Sequence, residues 1–134
     1  MSTKAKSKRK PKPASSLVWF EIPADNLQRA RKFYKTLFGW KIEQFPGMKD
    51  YWHMATGGHD KTPDGGMLAR MHPKHTITNY ISVASVEKSA AQVKKLGGKI
   101  MKPKTAVPHM GFFVICRDTE NNEFALWEVD PKAE

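Results

Sequence analysis

The stretch Leu17-Val18-Trp19-Phe20-Glu21-Ile22-Pro23-Ala24-Asp25-Asn26 decides the fold of this 134-residue chain. Leu17 to Ile22 is rich in β-branched and aromatic residues and reads as a strand. Pro23-Ala24-Asp25-Asn26 ends it and supplies a helix cap. From there Leu27, Ala30, Phe33, Tyr34, Leu37 and Phe38 recur in steps of three and four, which predicts a one-sided amphipathic helix. Gly39 stands where a helix C-terminal glycine belongs. Trp40 to Phe45 reads as a strand closed by a Pro46-Gly47 turn, and Tyr51 to Ala55 as another. Gly57 to Gly66 reads as a polar loop before a short strand at Met67 to Met71.

The pattern then repeats. Thr78 to Val83 is a strand, and Val86, Ala90, Val93 and Leu96 mark a second amphipathic helix closed by Gly97-Gly98. Strands follow at Lys99 to Lys102, ending at Pro103, at Phe112 to Cys116 and at Glu123 to Val129. A constant offset lays Trp19 on Thr78, Ile22 on Ile81, Leu27 on Val86, Tyr34 on Val93 and Gly39 on Gly98. Internal duplication constrains a whole fold. Each half reads as a β-α-β-β-β unit, and a unit of roughly 55 residues struggles to bury a core alone, so the halves are expected to pack together.

Composition agrees with an ordinary globule, at 40% hydrophobic and 27% charged residues. The apolar runs are far too short to span a bilayer. The formal net charge is +10, but six of the 23 basic residues and none of the 13 acidic ones fall in residues 1–16. That Lys/Pro/Ser segment is expected to be a disordered tail, with no apolar stretch after it to make a signal peptide. Its charge leaves an anionic-partner or nucleic-acid adaptor role open as an alternative, with nucleic acid not favoured. The single cysteine, Cys116, excludes an internal disulfide framework and fits a reducing, cytoplasmic setting. On a strand it reads as a small buried hydrophobe rather than a nucleophile.

The opening stretch, with Ala30-Arg31-Lys32-Phe33-Tyr34 and Leu37-Phe38-Gly39-Trp40, resembles the start of vicinal oxygen chelate proteins. This superfamily includes glyoxalase I, bleomycin-resistance proteins and extradiol dioxygenases. In the second half Leu96-Gly97-Gly98-Lys99-Ile100, Gly111 and the turn Asp118-Thr119-Glu120-Asn121-Asn122 before Glu123 to Glu128 resemble it too. The likeness covers about residues 17–130. It implies an α+β fold in which two βαβββ modules, 17–72 and 76–130, form a curled mixed sheet around a shared cup. A short tail, 131–134, would follow.

Metal-binding members carry a His on the first strand of a module and a Glu on its last. By the resemblance these positions are Trp19, Thr78, Ala125 and one within Gly66 to Met71, and none offers a family ligand. No metal is therefore expected there, although a divalent ion displaced to other side chains stays open. His72 and His75 have a His-x-x-His spacing, but beside Pro73 rather than on a helix. Side chains alternate across a strand, so Trp19 would share the cup face with Glu21, Thr78 with Tyr80, and Ala125 with Trp127, leaving Glu128 on the opposite face. Trp52 and Met54 are expected as wall residues and His109 at the rim. This aromatic, sparsely polar set suits a small apolar or aromatic ligand. Glu21 is the candidate acid or base. The leading expectation is a metal-free, homodimeric binding protein of the bleomycin-resistance kind. The alternative is a lyase or dioxygenase with displaced ligands.

Overall fold

The computed structural model describes residues 15–134, so the expectations for the basic segment before Ser15 lie outside the described residues. The first half runs β1 (Leu17–Ala24), α1 (Leu27–Phe38), β2 (Lys41–Gln44), β3 (Tyr51–Ala55) and β4 (Gly65–Ala69). The second runs β5 (Thr78–Ser82), α2 (Val86–Lys95), β6 (Lys99–Val107), β7 (Gly111–Arg117) and β8 (Glu123–Val129). Both expected βαβββ units are present. Asn26 caps α1 by accepting the Arg29 N–H, and Ser85 caps α2 by accepting that of Lys88. Gly39 ends α1 with φ 71°, a left-handed turn that favours glycine.

The eight strands form one open mixed sheet in the order β2-β3-β4-β1-β5-β8-β7-β6. The two modules join through antiparallel β1 and β5, where Trp19 faces Tyr80 and Glu21 faces Thr78. Trp19 and Thr78 are duplicates, as are Glu21 and Tyr80. Exchanging the halves therefore returns the same two pairs, the pattern of a two-fold between modules. The outer registers agree, since Glu21 pairs with Gly66 on β4 and Tyr80 with Ala125 on β8, both parallel.

Each module buries its own apolar cluster between its helix and one face of the sheet. Ile42, Met54 and Met67 lie under α1, and Val86, Val114, Cys116 and Leu126 under α2. Burial pushes the Cys116 thiol up to about 11, consistent with its reading as a core hydrophobe. Glu128 is on the helix face as expected, where its Oε1 accepts the Val86 N–H at 2.9 Å and caps α2.

Several boundaries differ from the sequence reading, and β1 itself runs past Ile22 through Pro23 to Ala24. β4 starts two residues earlier, because Gly65 and Gly66 are strand residues chosen for close approach rather than loop residues. β6 does not stop at Pro103 but continues to Val107. It is the edge strand, where a missing backbone N–H breaks no ladder. Residues 131–134, expected as a tail, are tied in: Ala133 is buried and its carbonyl accepts the His109 N–H.

Candidate functional site

The sheet face opposite the helices lines a cavity of about 680 Å³. Trp19 and Glu21 enter it from β1, Thr78 and Tyr80 from β5, and Trp127 from β8. These five expected site residues are thus brought together by strand alternation.

Three other expectations are corrected. Met54 is fully buried in the α1 cluster, and Trp52 packs against the same cluster with the Arg31 guanidinium 3.8 Å from its ring centre. The alternation of β3 is shifted by one from the expected phase. Trp52 and Met54 cover the helix, and Tyr51 faces the cavity. This phase gives α1 large apolar cover and pairs the Tyr51 hydroxyl with Glu21, and it leaves the Trp52 Nε1 buried without a partner among the described residues. His109 also lies away from the cavity, in the β6–β7 turn at φ 66°, and its neighbour Met110 lines the rim.

Glu21 is the hub of a hydrogen-bonded cluster. Its Oε2 accepts from the Tyr51 hydroxyl at 2.6 Å and its Oε1 from the Tyr80 hydroxyl at 2.9 Å. Tyr51 oxygen in turn accepts from Trp19 Nε1 at 2.9 Å. Burial raises the Glu21 carboxyl above its ordinary range, opposed by the two phenol bonds and by His75 and reinforced by Glu123. Burial, and then the Glu21 charge, pushes both phenols above their ordinary range.

Gly66 makes this cluster possible. A Cβ there would lie 2.1 Å from the Tyr51 oxygen, so the hydroxyl occupies the space a side chain on β4 would take. Nearby, buried Thr78 donates to Glu123 Oε2 at 2.7 Å. His75 is buried in the wall, and its Nδ1 accepts the Met71 N–H at 3.1 Å.

The four positions at which the resemblance places metal ligands hold Trp19, Thr78, Ala125 and, by register, Gly66. An indole, a methyl and a hydrogen do not coordinate a divalent ion, and the Thr78 hydroxyl is spent on Glu123. These residues do not fit the family metal. Among the described residues no three His, Cys, Asp or Glu side chains converge to hold an ion elsewhere. His72 and His75 stack with ring centres 5.4 Å apart.

Sequence reasoning missed Tyr51, His75, Lys102, Phe113 and Glu123. On β7 the apolar residues face both ways: Phe112, Val114 and Cys116 cover α2, while Phe113 and Ile115 face the cavity. With both faces apolar, the phase of such a strand has no sequence signal. Tyr51 carried a usable one, a hydroxyl that must find a partner when buried.

Comparison with known proteins places this architecture. Residues 16–57 match the family described as bleomycin resistance protein-like N-terminal. A glyoxylase-like domain-containing protein of Didymella fabae is 34% identical over 114 residues, covering 79% of this chain and 88% of that protein. The chain belongs to the glyoxalase/bleomycin-resistance/dioxygenase group, the vicinal oxygen chelate superfamily. Among solved structures, a superfamily member from Vibrio splendidus 12B01 superposes with a TM-score of 0.64 at 10% identity, covering 87% of this chain and all of that one. Methylmalonyl-CoA epimerase from Mycobacterium tuberculosis gives 0.58 at 13% identity, covering 89% and 93%. At these identities the likeness is one of fold.

Proposed function

We propose that this protein binds a small apolar or aromatic organic molecule in the cup between its two modules. The carrying observation is the cavity of about 680 Å³, whose walls include Trp19, Phe113 and Trp127 and whose surface is mostly apolar, with its polar groups confined to side chains such as Glu21, Tyr80 and Lys102. That volume and lining suit a drug-sized ligand fixed by a small number of hydrogen bonds. Both Glu21 oxygens already accept from phenols, so the carboxylate serves as a rigid polar anchor in this reading. A homodimer, expected from the superfamily resemblance, belongs to the same proposal, and sedimentation equilibrium tests it.

The test of binding is a screen of aromatic compounds against the intact chain, read by indole fluorescence and repeated with Trp19→Phe and Trp127→Phe. Saturable quenching that weakens in either variant supports the cup. No saturable ligand across a broad aromatic set, combined with a core-sized loss of stability on truncating Trp19, would show the cup to be packing space.

A further inference from the structure

We propose that the ligand of this cup is an amphiphilic aromatic anion whose charged group rests on Lys102 and whose rings lie against Phe113. This builds on the reading of the cup as a small-molecule site and adds the ligand's charge and orientation.

The backbone of β6 carries the argument. Ile100 pairs with Cys116 on the helix face, and regular alternation would turn Lys102 to that face as well. Instead the register shifts and Lys102 pairs with Ile115, which faces the cavity. A second shift follows before Thr105 pairs with Phe113. It returns Lys104 to the helix side, where Lys104 meets Glu87 at 2.6 Å and lies 4.3 Å from the Phe112 ring centre. Two irregularities thus turn one lysine into the cup and keep its neighbour out. Bulges that re-aim a side chain recur beside binding sites.

The chemistry around Lys102 points the same way. Its Nζ lies 5.5 Å from the Phe113 ring centre, and among the described residues it makes no ion pair. Among the described residues Arg117, the other permanent cation of the lining, also makes no ion pair, and its Nε is buried without a partner, but its Nη1 is held at the β7–β8 turn, donating to Asn121 Oδ1 at 3.2 Å. Glu21 and Glu123 also line the cavity and repel an anion from their own part of it. An anionic group is therefore favoured at Lys102.

The rim fits an aromatic body. Met48, Met71, Met101 and Met110 all line the cavity and are exposed, at 38, 76, 50 and 43%, whereas Met54 and Met67 are fully buried. Two come from each module. Unbranched thioethers adapt to varied shapes and make favourable contacts with aromatic rings. Such a mouth suits flat ligands of differing outline.

The experiment compares two probes of similar ring size on the full chain: anilinonaphthalene sulfonate and the neutral phenylnaphthylamine. Both are expected to bind and to compete with each other. Phe113→Leu should weaken both, which puts them in the cup and not on Phe33 or Leu37 of α1, which are also exposed. Lys102→Gln should weaken the sulfonate about tenfold, the size of one charge-assisted hydrogen bond. It should leave the neutral probe within about twofold. Lys104→Gln should change neither. Equal losses for both probes in Lys102→Gln, or no loss for either, would overturn the role of Lys102 while binding in the cup stood. Failure of both probes to bind would overturn the cup reading itself.

Discussion

The Tyr80 hydroxyl donates to Glu21 Oε1 at 2.9 Å, so two residues that occupy equivalent positions in the duplicated halves meet across the module boundary. The same carboxylate accepts from Tyr51 and thereby ties β3 to the central strand pair. One charged group holds three strands around a cavity, at the desolvation cost that raises its pKa. The arrangement makes Glu21, Tyr51 and Gly66 a unit that can be tested for coupling.

Removing the Tyr51 hydroxyl should leave both Glu21 Oε2 and Trp19 Nε1 short of a partner. Tyr51→Phe is expected to destabilise the protein by about 1.5–3 kcal/mol, the range for a hydrogen bond to a charged group. It should also move the Glu21 carboxyl further upward, since that bond lowers it. Urea denaturation measures the first effect and carboxyl NMR titration the second.

Gly66→Ala places a Cβ 2.1 Å from the Tyr51 oxygen and 2.4 Å from its ring carbon. Overpacking of this kind costs about 1–3 kcal/mol. In a Tyr51→Ala background the new methyl enters vacated space, so the penalty should largely vanish. A double-mutant cycle checks this, and additive losses would show that Gly66 matters for a reason other than the phenol.

Trp19 separates a cup from a filled core. It borders the cavity, is only partly buried, and stacks on His53 with ring centres 5.6 Å apart. Truncating a fully packed indole costs about 3–5 kcal/mol. Trp19→Ala is expected below that range, with loss of aromatic probe affinity, as read by denaturation and fluorescence titration.

The raised Glu21 pKa gives a signed pH dependence. Below the ordinary value of 4.5 the carboxyl is protonated both folded and unfolded. Above it the unfolded chain releases the proton first, so folding stability should fall as pH rises from 4.5 through the folded value. Glu21→Gln should abolish that fall. Tyr51, Tyr80, His75 and Glu123 surround the group and remain in both proteins. Asp118 and Glu87, whose pKa values are lowered, contribute with opposite sign but equally to both. The difference between the two stability curves across pH 4.5 to neutral therefore isolates Glu21.

The sequence by itself determined the architecture. The apolar spacing of α1, the cap segment ending at Asn26 and the closing Gly39 are local signals, and strand, amphipathic helix and closing glycine recur at a constant offset, so two βαβββ modules were legible in the chain itself. The central cup residues Trp19, Glu21, Thr78, Tyr80 and Trp127 were legible as well, because the resemblance put Trp19, Thr78 and Ala125 on the cup face and strand alternation then set the phase of β1, β5 and β8. Strands β3, β6 and β7 were different. Trp52 and Tyr51 are both large and aromatic, and only the need of α1 for apolar cover and of the Tyr51 hydroxyl for Glu21 decided which faced inward. The turning of Lys102 into the cavity depends on where β6 slips against β7, an interaction between segments. Alternation along one strand is a local property, whereas register, bulges and the space a glycine leaves for a distant side chain are set by the partner strand, and so only the tertiary structure decided them.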